Sequence, residues 1–461
     1  MTTGISRNPS DTREVVAEYA RADRNQTHLA IRAAADAFPH WSHTTPQRRA
    51  DVLDQIGSEI LARREELGML LAREEGKTLP EAVGEAARAG HIFKFFAGEA
   101  LRAGGEMLAS VRPDVQVDIT REPVGVVGLI APWNFPLAIP AWKIAPALAY
   151  GNSVVFKPAE LVPACGWALA EIISRAALPA GTFNLVMGSG REVGQAIVDH
   201  PLVDAISFTG SVPTGELILQ GAARRRAKVQ LEMGGKNPLV VLADADLDRA
   251  VDCALQGAYF STGQRCTASS RLIVEASVHD AFVVRLRHRL AALKVGHALE
   301  RGVDIGPVVD ASQLEQNLAA VAGATEEGAE HVWGGERLQR ASDGYFMSPA
   351  LFLARPEHRV AREEIFGPVL STLTFKDEGE AVAIGNSTIY GLAAAVWSRD
   401  VKKALRTAKS LKAGTVWVNA YNFYDPGLPF GGYKESGFGR ERGHYALAEY
   451  TQVKSIWIDL T

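Results

Sequence analysis

The chain has 461 residues, of which 47% are apolar and 22% charged, with a formal net charge of −4. This length exceeds the size at which one hydrophobic core stops growing, so at least two domains are expected. The interspersed charges argue against a nucleic-acid or membrane surface, and no apolar stretch is long enough to span a bilayer. A polar N-terminus and three cysteines without metal-ligand spacing predict a cytoplasmic protein with no disulfide framework and no metal site.

The N-terminal part of the chain is predicted to be helical. Between residues 26 and 103, apolar side chains such as Val52, Ile56 and Ile60 recur at helical spacing, with Arg and Glu on the opposite face. Gly104 and Gly105 end the pattern. We interpret these helices as packing elements.

From residue 111 the pattern changes to that of strands. Val115, Val117 and Ile119 alternate with polar residues, as in a half-exposed strand, whereas residues 124–130 are typical of a buried parallel strand. Strands and helices then alternate, and the alternation restarts after Gly235, which predicts an α/β fold with two doubly wound parallel-sheet domains. The clearest of these elements are strands at 153–157, 182–186, 205–208 and 239–242 and helices at 164–177 and 194–200.

Cys266 is the candidate nucleophile. It lies in a short polar segment, residues 259–271, ahead of a predicted strand, and a cysteine on such a turn is expected to have an exposed sulfur near backbone N–H groups. Those conditions favour the nucleophilic thiolate, although a lone cysteine can equally be a small buried hydrophobe. Two other segments favour the nucleophile, because Glu232 offers a base and Asn134, in Pro-Trp-Asn-Phe-Pro, offers an amide donor.

These motifs, in this order, resemble the NAD(P)-dependent aldehyde dehydrogenase superfamily from Asn8-Pro9 to about Ile458. The resemblance implies oxidation of an aldehyde to a carboxylic acid through a thioester on Cys266. Asn134 would bind the oxyanion, and Glu232 would activate the water that hydrolyses the thioester. Two further matches, Lys143 and Glu441, are thought to belong to a water and proton route in the family, and a structural ion pair is the alternative for both.

The resemblance also implies NAD as the cofactor, with NADP possible. Residues 208–215 form a predicted strand, a glycine turn and a helix start whose N–H groups can receive a pyrophosphate. In the family, Lys157 and Glu160 bind the adenosine ribose and Glu364 binds the nicotinamide ribose, whereas in isolation the first two would be a surface pair. The complete set of expected cofactor residues is Trp133, Lys157, Glu160, Gly190, Gly210, Ser211, Gly215, Glu364 and Phe366.

The domain boundaries follow from the same resemblance. Residues 1–105 and 123–234 are expected to form the NAD-binding domain and 235–434 the catalytic domain, while 106–122 and 435–461 form an oligomerisation arm. The arm implies a homodimer or homotetramer. Family members usually begin with a hairpin before the Asn-Pro turn, and the early position of that turn here predicts a missing or shortened hairpin.

The substrate is expected to be a short aldehyde with a distal carboxylate. The segments at 70–79, 139–143 and 262–268 look like those of bacterial 2-oxoglutarate semialdehyde dehydrogenases, and succinate semialdehyde is the second choice. Arg265 either binds the carboxylate or forms an ion pair. Phe423, in an aromatic loop, indicates instead an aromatic or longer apolar aldehyde. Two rivals remain: a dehydrogenase that releases acyl-CoA, which would not need Glu232, and a non-catalytic homologue, which would not need Cys266.

Overall fold

The computed structural model describes residues 2–461, and its strands and helices alternate along most of the chain. The strands are β1 (Thr2–Asn8), β2 (Asp11–Arg21), β3 (Glu106–Ala109), β4 (Val115–Pro123), β5 (Val126–Ile130), β6 (Ser153–Lys157), β7 (Phe183–Leu185), β8 (Ala205–Thr209), β9 (Lys228–Glu232), β10 (Pro238–Val241), β11 (Arg271–Glu275), β12 (Glu330–Trp333), β13 (Ala350–Leu353), β14 (Val369–Phe375), β15 (Ala393–Trp397), β16 (Thr415–Val418), β17 (Gly437–Phe438) and β18 (Thr451–Asp459). The helices are α1 (Arg24–Ser42), α2 (Pro46–Ala62), α3 (Arg64–Glu74), α4 (Leu79–Arg102), α5 (Ala138–Ala149), α6 (Pro163–Arg175), α7 (Gln195–Asp199), α8 (Val212–Arg225), α9 (Leu247–Tyr259), α10 (Ala276–Ala292), α11 (Ala311–Glu326), α12 (Arg359–Arg362), α13 (Glu378–Gly385), α14 (Val401–Ser410) and α15 (Leu447–Tyr450).

Two mixed sheets carry the architecture. The first has six strands in the order β17-β9-β8-β5-β6-β7, and the second has seven in the order β12-β13-β14-β11-β10-β15-β16. All pairings within them are parallel except at the edges, where β17 and β12 run antiparallel to their neighbours. The predicted fold of two doubly wound α/β sheets is confirmed.

The helical N-terminal part packs on the first sheet, as predicted. Helices α2, α4 and α5 share one apolar core with β5 and β6, in which Phe93, Phe96 and Phe156 are fully buried. The indole of Trp41, at the end of α1, donates to the carbonyl of Leu148 at 3.1 Å and so fixes α1 to α5. Among residues 2–461, no helix combines the length and apolar character needed to cross a bilayer.

The functional cleft follows from where the two sheets end. Strands β5, β8 and β9 are parallel neighbours, so the segments after their carboxyl ends meet at one edge of the first sheet. The segment that contains Cys266 precedes β11 and therefore reaches the amino-terminal edge of the second sheet. The site thus lies between the two sheets, in the position where open α/β sheets bind ligands.

A separate three-stranded antiparallel sheet contains the predicted arm strands. Strand β18 pairs with β4 from Thr451 opposite Pro123 to Asp459 opposite Val115, and β3 pairs with the other edge of β4. The terminal strand expected at residues 451–459 is therefore present. Trp457, on β18, is 61% exposed.

The start of the chain differs from expectation. Strands β1 and β2 form an antiparallel hairpin, and the Asn8-Pro9 turn lies at its tip rather than after it. The Asn8 side chain closes this turn by accepting the Ser10 N–H at 2.8 Å. The described residues before the Asn-Pro turn form one strand, in agreement with the expected missing or shortened hairpin there, and the hairpin of β1 and β2 around the turn was not predicted.

Candidate active site

The nucleophile loop, residues 260–270, begins with an unusual backbone. Ser261, Thr262 and Gly263 have φ values of 51°, 56° and 67°, so three consecutive residues adopt the left-handed conformation, which is costly for the two with side chains. The Glu81 carboxylate holds Ser261 by accepting its N–H at 2.8 Å and its hydroxyl at 3.0 Å. This bend carries the chain from the end of α9 into the cleft.

Asn237 fixes the other side of Cys266. Its side-chain amide donates to the carbonyls of Cys266 and Ala268 at 2.8 and 2.9 Å. Gly235 packs so closely on the Cys266 carbonyl that a side chain there would displace it. Asn237 follows Glu232 by five residues in the sequence, and its role was not predicted.

The environment of the Cys266 sulfur differs from the exposed turn expected from the sequence. Cys266 is only half-buried as a residue, but burial of its sulfur raises the pKa of the thiol, and the nearby carboxylates of Glu364 and Glu232 raise it further. Cys266 lines the cleft between the two sheets. The surroundings of the sulfur therefore disfavour the thiolate, whereas the sequence predicts an exposed sulfur that favours it.

Asn134 lies in the same cleft as Cys266. The residue is 3% exposed, and its amide nitrogen donates to the carbonyl of Gln264 at 3.0 Å. A side-chain amide has two N–H donors, so the second can be directed at an oxygen of a bound molecule. The structure brings the candidate nucleophile and the candidate oxyanion donor together.

Glu232 directly precedes Met233 of the cleft wall and belongs to a buried polar chain. Its carboxylate accepts from the Gln230 amide at 3.3 Å, and its second oxygen has no partner among residues 2–461. Gln230 in turn accepts from Lys143 at 3.3 Å and Ser207 at 2.7 Å, and Lys143 forms a buried ion pair with Glu441. Burial raises the pKa of Glu232, and the Glu441 charge adds to this effect. Sequence reasoning missed the link made by Gln230 and Ser207.

A cleft of about 810 Å³ leads away from Cys266 along the carboxyl ends of the first sheet. Trp133 and Phe366 contact each other edge to face in its wall, with ring centroids 5.4 Å apart. Glu364 lines it too and accepts the Gly235 N–H at 2.9 Å, while burial raises the pKa of Glu364 to about 7. Gly234 packs on the Glu364 carboxylate, where any side chain would overlap it.

The amino end of α8 opens onto this cleft through Gly210 and Ser211. The Ser211 hydroxyl donates to Thr214 at 3.0 Å instead of capping the helix, which leaves first-turn N–H groups available to an anion. Gly215 lies behind, packed on Met233. The buried Thr209 hydroxyl, also in the cleft wall, has no partner among the described residues.

The other expected cofactor residues lie beyond the walls of this cleft. Lys157 is 4% exposed and donates to the Pro158 carbonyl at 2.9 Å, and burial lowers the pKa of Lys157 to about 8. Glu160 forms an ion pair with Arg21 of β2 at 3.5 Å. Gly190 begins a single π-helical turn and has open space where a side chain would be.

The two expected substrate residues line a different cavity, of about 1000 Å³, next to the nucleophile loop. Arg265 is engaged there: its guanidinium pairs with Glu81 at 3.1 Å and donates to the Ser261 hydroxyl at 3.0 Å. The structure thus has the ion-pair alternative for Arg265 rather than a free carboxylate anchor. Phe423, in contrast, is 73% exposed.

The fold and the site define a two-sheet α/β protein with a cysteine, an amide donor and a buried carboxylate around a ligand cleft. The sequence pattern of the aldehyde dehydrogenase family matches residues 2–456. The chain belongs to the aldehyde dehydrogenase family, a family of oxidoreductases.

Individual relatives agree with this assignment. The chain is 41% identical to betaine aldehyde dehydrogenase of Bacillus subtilis over 449 residues, covering 96% of this chain and 92% of the relative. It is 40% identical to alpha-ketoglutaric semialdehyde dehydrogenase of the same organism over 457 residues, covering 98% and 93%. The crystal structure of betaine aldehyde dehydrogenase from Staphylococcus aureus in complex with NAD+ is similar with a TM-score of 0.98 at 40% identity, covering 100% of this chain and 92% of that one.

Proposed function

We propose that the protein oxidises an aldehyde to a carboxylic acid with NAD, and that Cys266, Asn134 and Glu232 carry the reaction. The observation that supports this most is the convergence of Cys266 and Asn134 in one cleft, with the Glu232 carboxylate near enough to perturb the thiol. The uncapped end of α8 and the unpartnered Thr209 hydroxyl fit a phosphate-bearing dinucleotide in that cleft.

In the proposed reaction, the Cys266 thiol first gives its proton to solvent water; its sulfur then forms a bond to the aldehyde carbon, and the carbonyl oxygen becomes an oxyanion. The free N–H of the Asn134 amide, with the Cys266 backbone N–H, stabilises that charge. NAD, when bound, supplies the acceptor for the hydride that leaves the same carbon. Glu232 then takes a proton from water, whose oxygen attacks the thioester and breaks the carbon–sulfur bond. The proton then leaves Glu232 by the proposed water and proton route, to which Lys143 and Glu441 are assigned.

The test is steady NADH formation with a panel of aldehydes, each assayed with NAD and with NADP. Sustained formation of one NADH per carboxylic acid produced supports the proposal. A rate that depends on coenzyme A would favour the acyl-CoA-releasing alternative, and no turnover with any aldehyde would favour a non-catalytic homologue.

For the substrate, we propose a short aldehyde that carries a distal carboxylate, 2-oxoglutarate semialdehyde before succinate semialdehyde. The observation that favours an anion is a pair of arginines without carboxylate partners: among residues 2–461, neither Arg88 nor Arg442 has a carboxylate within 4.0 Å. Arg442 is 4% exposed and stacks 5.1 Å from the ring of Tyr424. The 40% identity to an alpha-ketoglutaric semialdehyde dehydrogenase agrees with this choice.

Arg88 is the better candidate of the two for contact with the substrate. Arg88 lies three residues after Glu85 on α4 and is exposed as a residue, and loss of hydration lowers the pKa of its guanidinium. Burial raises the pKa of Tyr424, while the charges of Arg442 and Arg88 lower it. These cations would repel the trimethylammonium group of betaine aldehyde, the substrate that the name of another relative indicates.

The substrate proposal is tested by comparing succinate semialdehyde with butanal, which has the same number of carbons and no carboxylate. In Arg88→Met, KM for the semialdehyde should rise by roughly tenfold or more while that for butanal stays unchanged, because a charge-assisted contact is lost. Arg102→Met, at the exposed end of the same helix, serves as the control and should change neither.

A second candidate is an aromatic or longer apolar aldehyde, because exposed Phe423 offers a ring for stacking beside the nucleophile loop. Higher kcat/KM for benzaldehyde than for either semialdehyde, unaffected by Arg88→Met, would replace the carboxylate proposal.

We further propose a cytoplasmic homodimer or homotetramer joined through β18. Exposed apolar side chains on that strand, including Trp457, support this, and light scattering of the purified protein measures the assembly directly.

A further inference from the structure

A row of three polar residues at the start of α4 contacts both loops of the active site. Glu81 and Glu85 are four residues apart and share one face of α4, and Lys77 lies just before the Thr78 N-cap of that helix. All three are buried or nearly so, and their charged atoms are turned toward the site rather than toward solvent. We call this set the α4 polar row.

Lys77 and Glu85 hold the donor loop, residues 132–138. The Lys77 ammonium donates to the backbone carbonyl of Asn134 at 2.7 Å and to Glu85 at 2.7 Å, and it lies 3.8 Å from the centre of the Phe135 ring. The other Glu85 oxygen accepts the N–H groups of Leu137 and Ala138 at 2.9 and 3.1 Å. The backbone from Asn134 to Ala138 is thus tied to one ion pair.

Glu81, between them, holds the nucleophile loop. One oxygen accepts the Thr78 backbone N–H at 3.3 Å, as in a capping box, and also the Thr78 hydroxyl at 2.8 Å. The other accepts from Ser261 and Arg265, so it supports the left-handed bend that leads to Cys266. The row therefore connects the two loops through one rigid helix end.

We propose that Lys77 is a positioning residue, which sets the placement of the Asn134 amide relative to Cys266 through the α4 polar row. The inference rests on the proposed role of Asn134 as oxyanion donor. If the buried Lys77 ammonium served packing alone, it would not need to donate to the backbone carbonyl of Asn134. Displacement of a catalytic group by about 1 Å can reduce a rate by up to roughly a hundredfold.

The test uses acylation of Cys266 by p-nitrophenyl acetate, which creates an oxyanion, and alkylation by iodoacetamide, which does not. Asn134→Ala should slow acylation by about 100-fold or more, as for other oxyanion donors. Lys77→Met should slow it by about tenfold to a hundredfold. Neither change should alter alkylation. In the double variant, Lys77→Met should add almost nothing to the loss already caused by Asn134→Ala.

Losses that multiply in the double variant would overturn the proposal, because Lys77 would then act independently of Asn134. An unchanged acylation rate in Asn134→Ala would instead contradict the role of Asn134 as oxyanion donor, on which the proposal for Lys77 rests. If Lys77→Met does not fold, Glu85→Gln replaces it, with a smaller loss and the same absence of additivity expected. Lys94→Met is the matched control and should change neither rate. Lys94 is a partly exposed lysine of α4 that pairs with Asp54 of α2.

Discussion

The change Glu232→Gln separates the two halves of the proposed reaction. Glu232 is 2% exposed, and the oxygen that accepts the Gln230 amide remains an acceptor in glutamine. The substitution therefore preserves shape and the local hydrogen bond while removing the proton acceptor. A positioned general base contributes about 10²- to 10⁴-fold, so steady turnover should fall by that factor.

The assay is stopped-flow detection of NADH after mixing enzyme and NAD with an aldehyde. Glu232→Gln should give a burst approaching one NADH per Cys266, followed by little further formation, because hydride transfer precedes the step that needs the base. Loss of the burst together with the steady phase would refute this division of roles. Glu122→Gln, on the exposed arm strand, should behave as the wild type.

The pH dependence provides a second readout of the same residue. Because burial raises the pKa of Glu232, its protonated form, which cannot act as a base, persists to higher pH than for an ordinary glutamate. Steady turnover of the wild type should therefore increase as pH rises through that pKa. The residual turnover of Glu232→Gln should lack this increase. A rise of equal size in the variant would show that another group causes the pH dependence.

Three further predictions concern the nucleophile and the cofactor. Cys266→Ser should keep cofactor affinity and lose turnover, since a serine hydroxyl remains protonated without a dedicated base; wild-type turnover would contradict the assignment. The pKa of Glu364, about 7, predicts that NAD affinity measured by calorimetry weakens as pH falls below that value, and that Glu364→Gln abolishes the dependence. NAD should be preferred to NADP because the Glu160 carboxylate repels a 2′-phosphate. Glu160→Gln should therefore lower the ratio of kcat/KM with NAD to kcat/KM with NADP. An unchanged ratio would exclude a role of Glu160 in this preference.

The elements of the first sheet were predictable because their signals are local. The strand at 153–157 coincides with β6, and the helical pattern up to residue 103 corresponds to α1 to α4. Apolar periodicity depends on neighbouring residues, so it is visible without knowledge of the fold. The hairpin of β1 and β2 was not foreseen because its turn was interpreted by analogy rather than from its own flanking strands.

The site was predictable in its main residues and not in their supports. Cys266, Asn134 and Glu232 belong to specific motifs, whereas the contact between Glu81 and Ser261 joins residues 180 positions apart. Glu81, the ion-pair partner of Arg265, is also far from it in sequence and was not predicted. The position of Arg265 next to the nucleophile suggested a substrate contact instead. The nucleophile loop contains a left-handed bend at Ser261 and Thr262, and neither residue type predicts that conformation. The burial of the Cys266 sulfur was therefore not predictable from the sequence.

The central claim is that the aldehyde carbon, once bonded to the Cys266 sulfur, loses a hydride and leaves an acyl group on that sulfur. The most direct measurement is peptide mass spectrometry of Glu232→Gln, quenched in acid after reaction with NAD and an aldehyde. The account predicts the added mass of the acyl group on the peptide that contains Cys266, present only when NAD was included. An unmodified Cys266 peptide, recovered after one equivalent of NADH has formed, would contradict it.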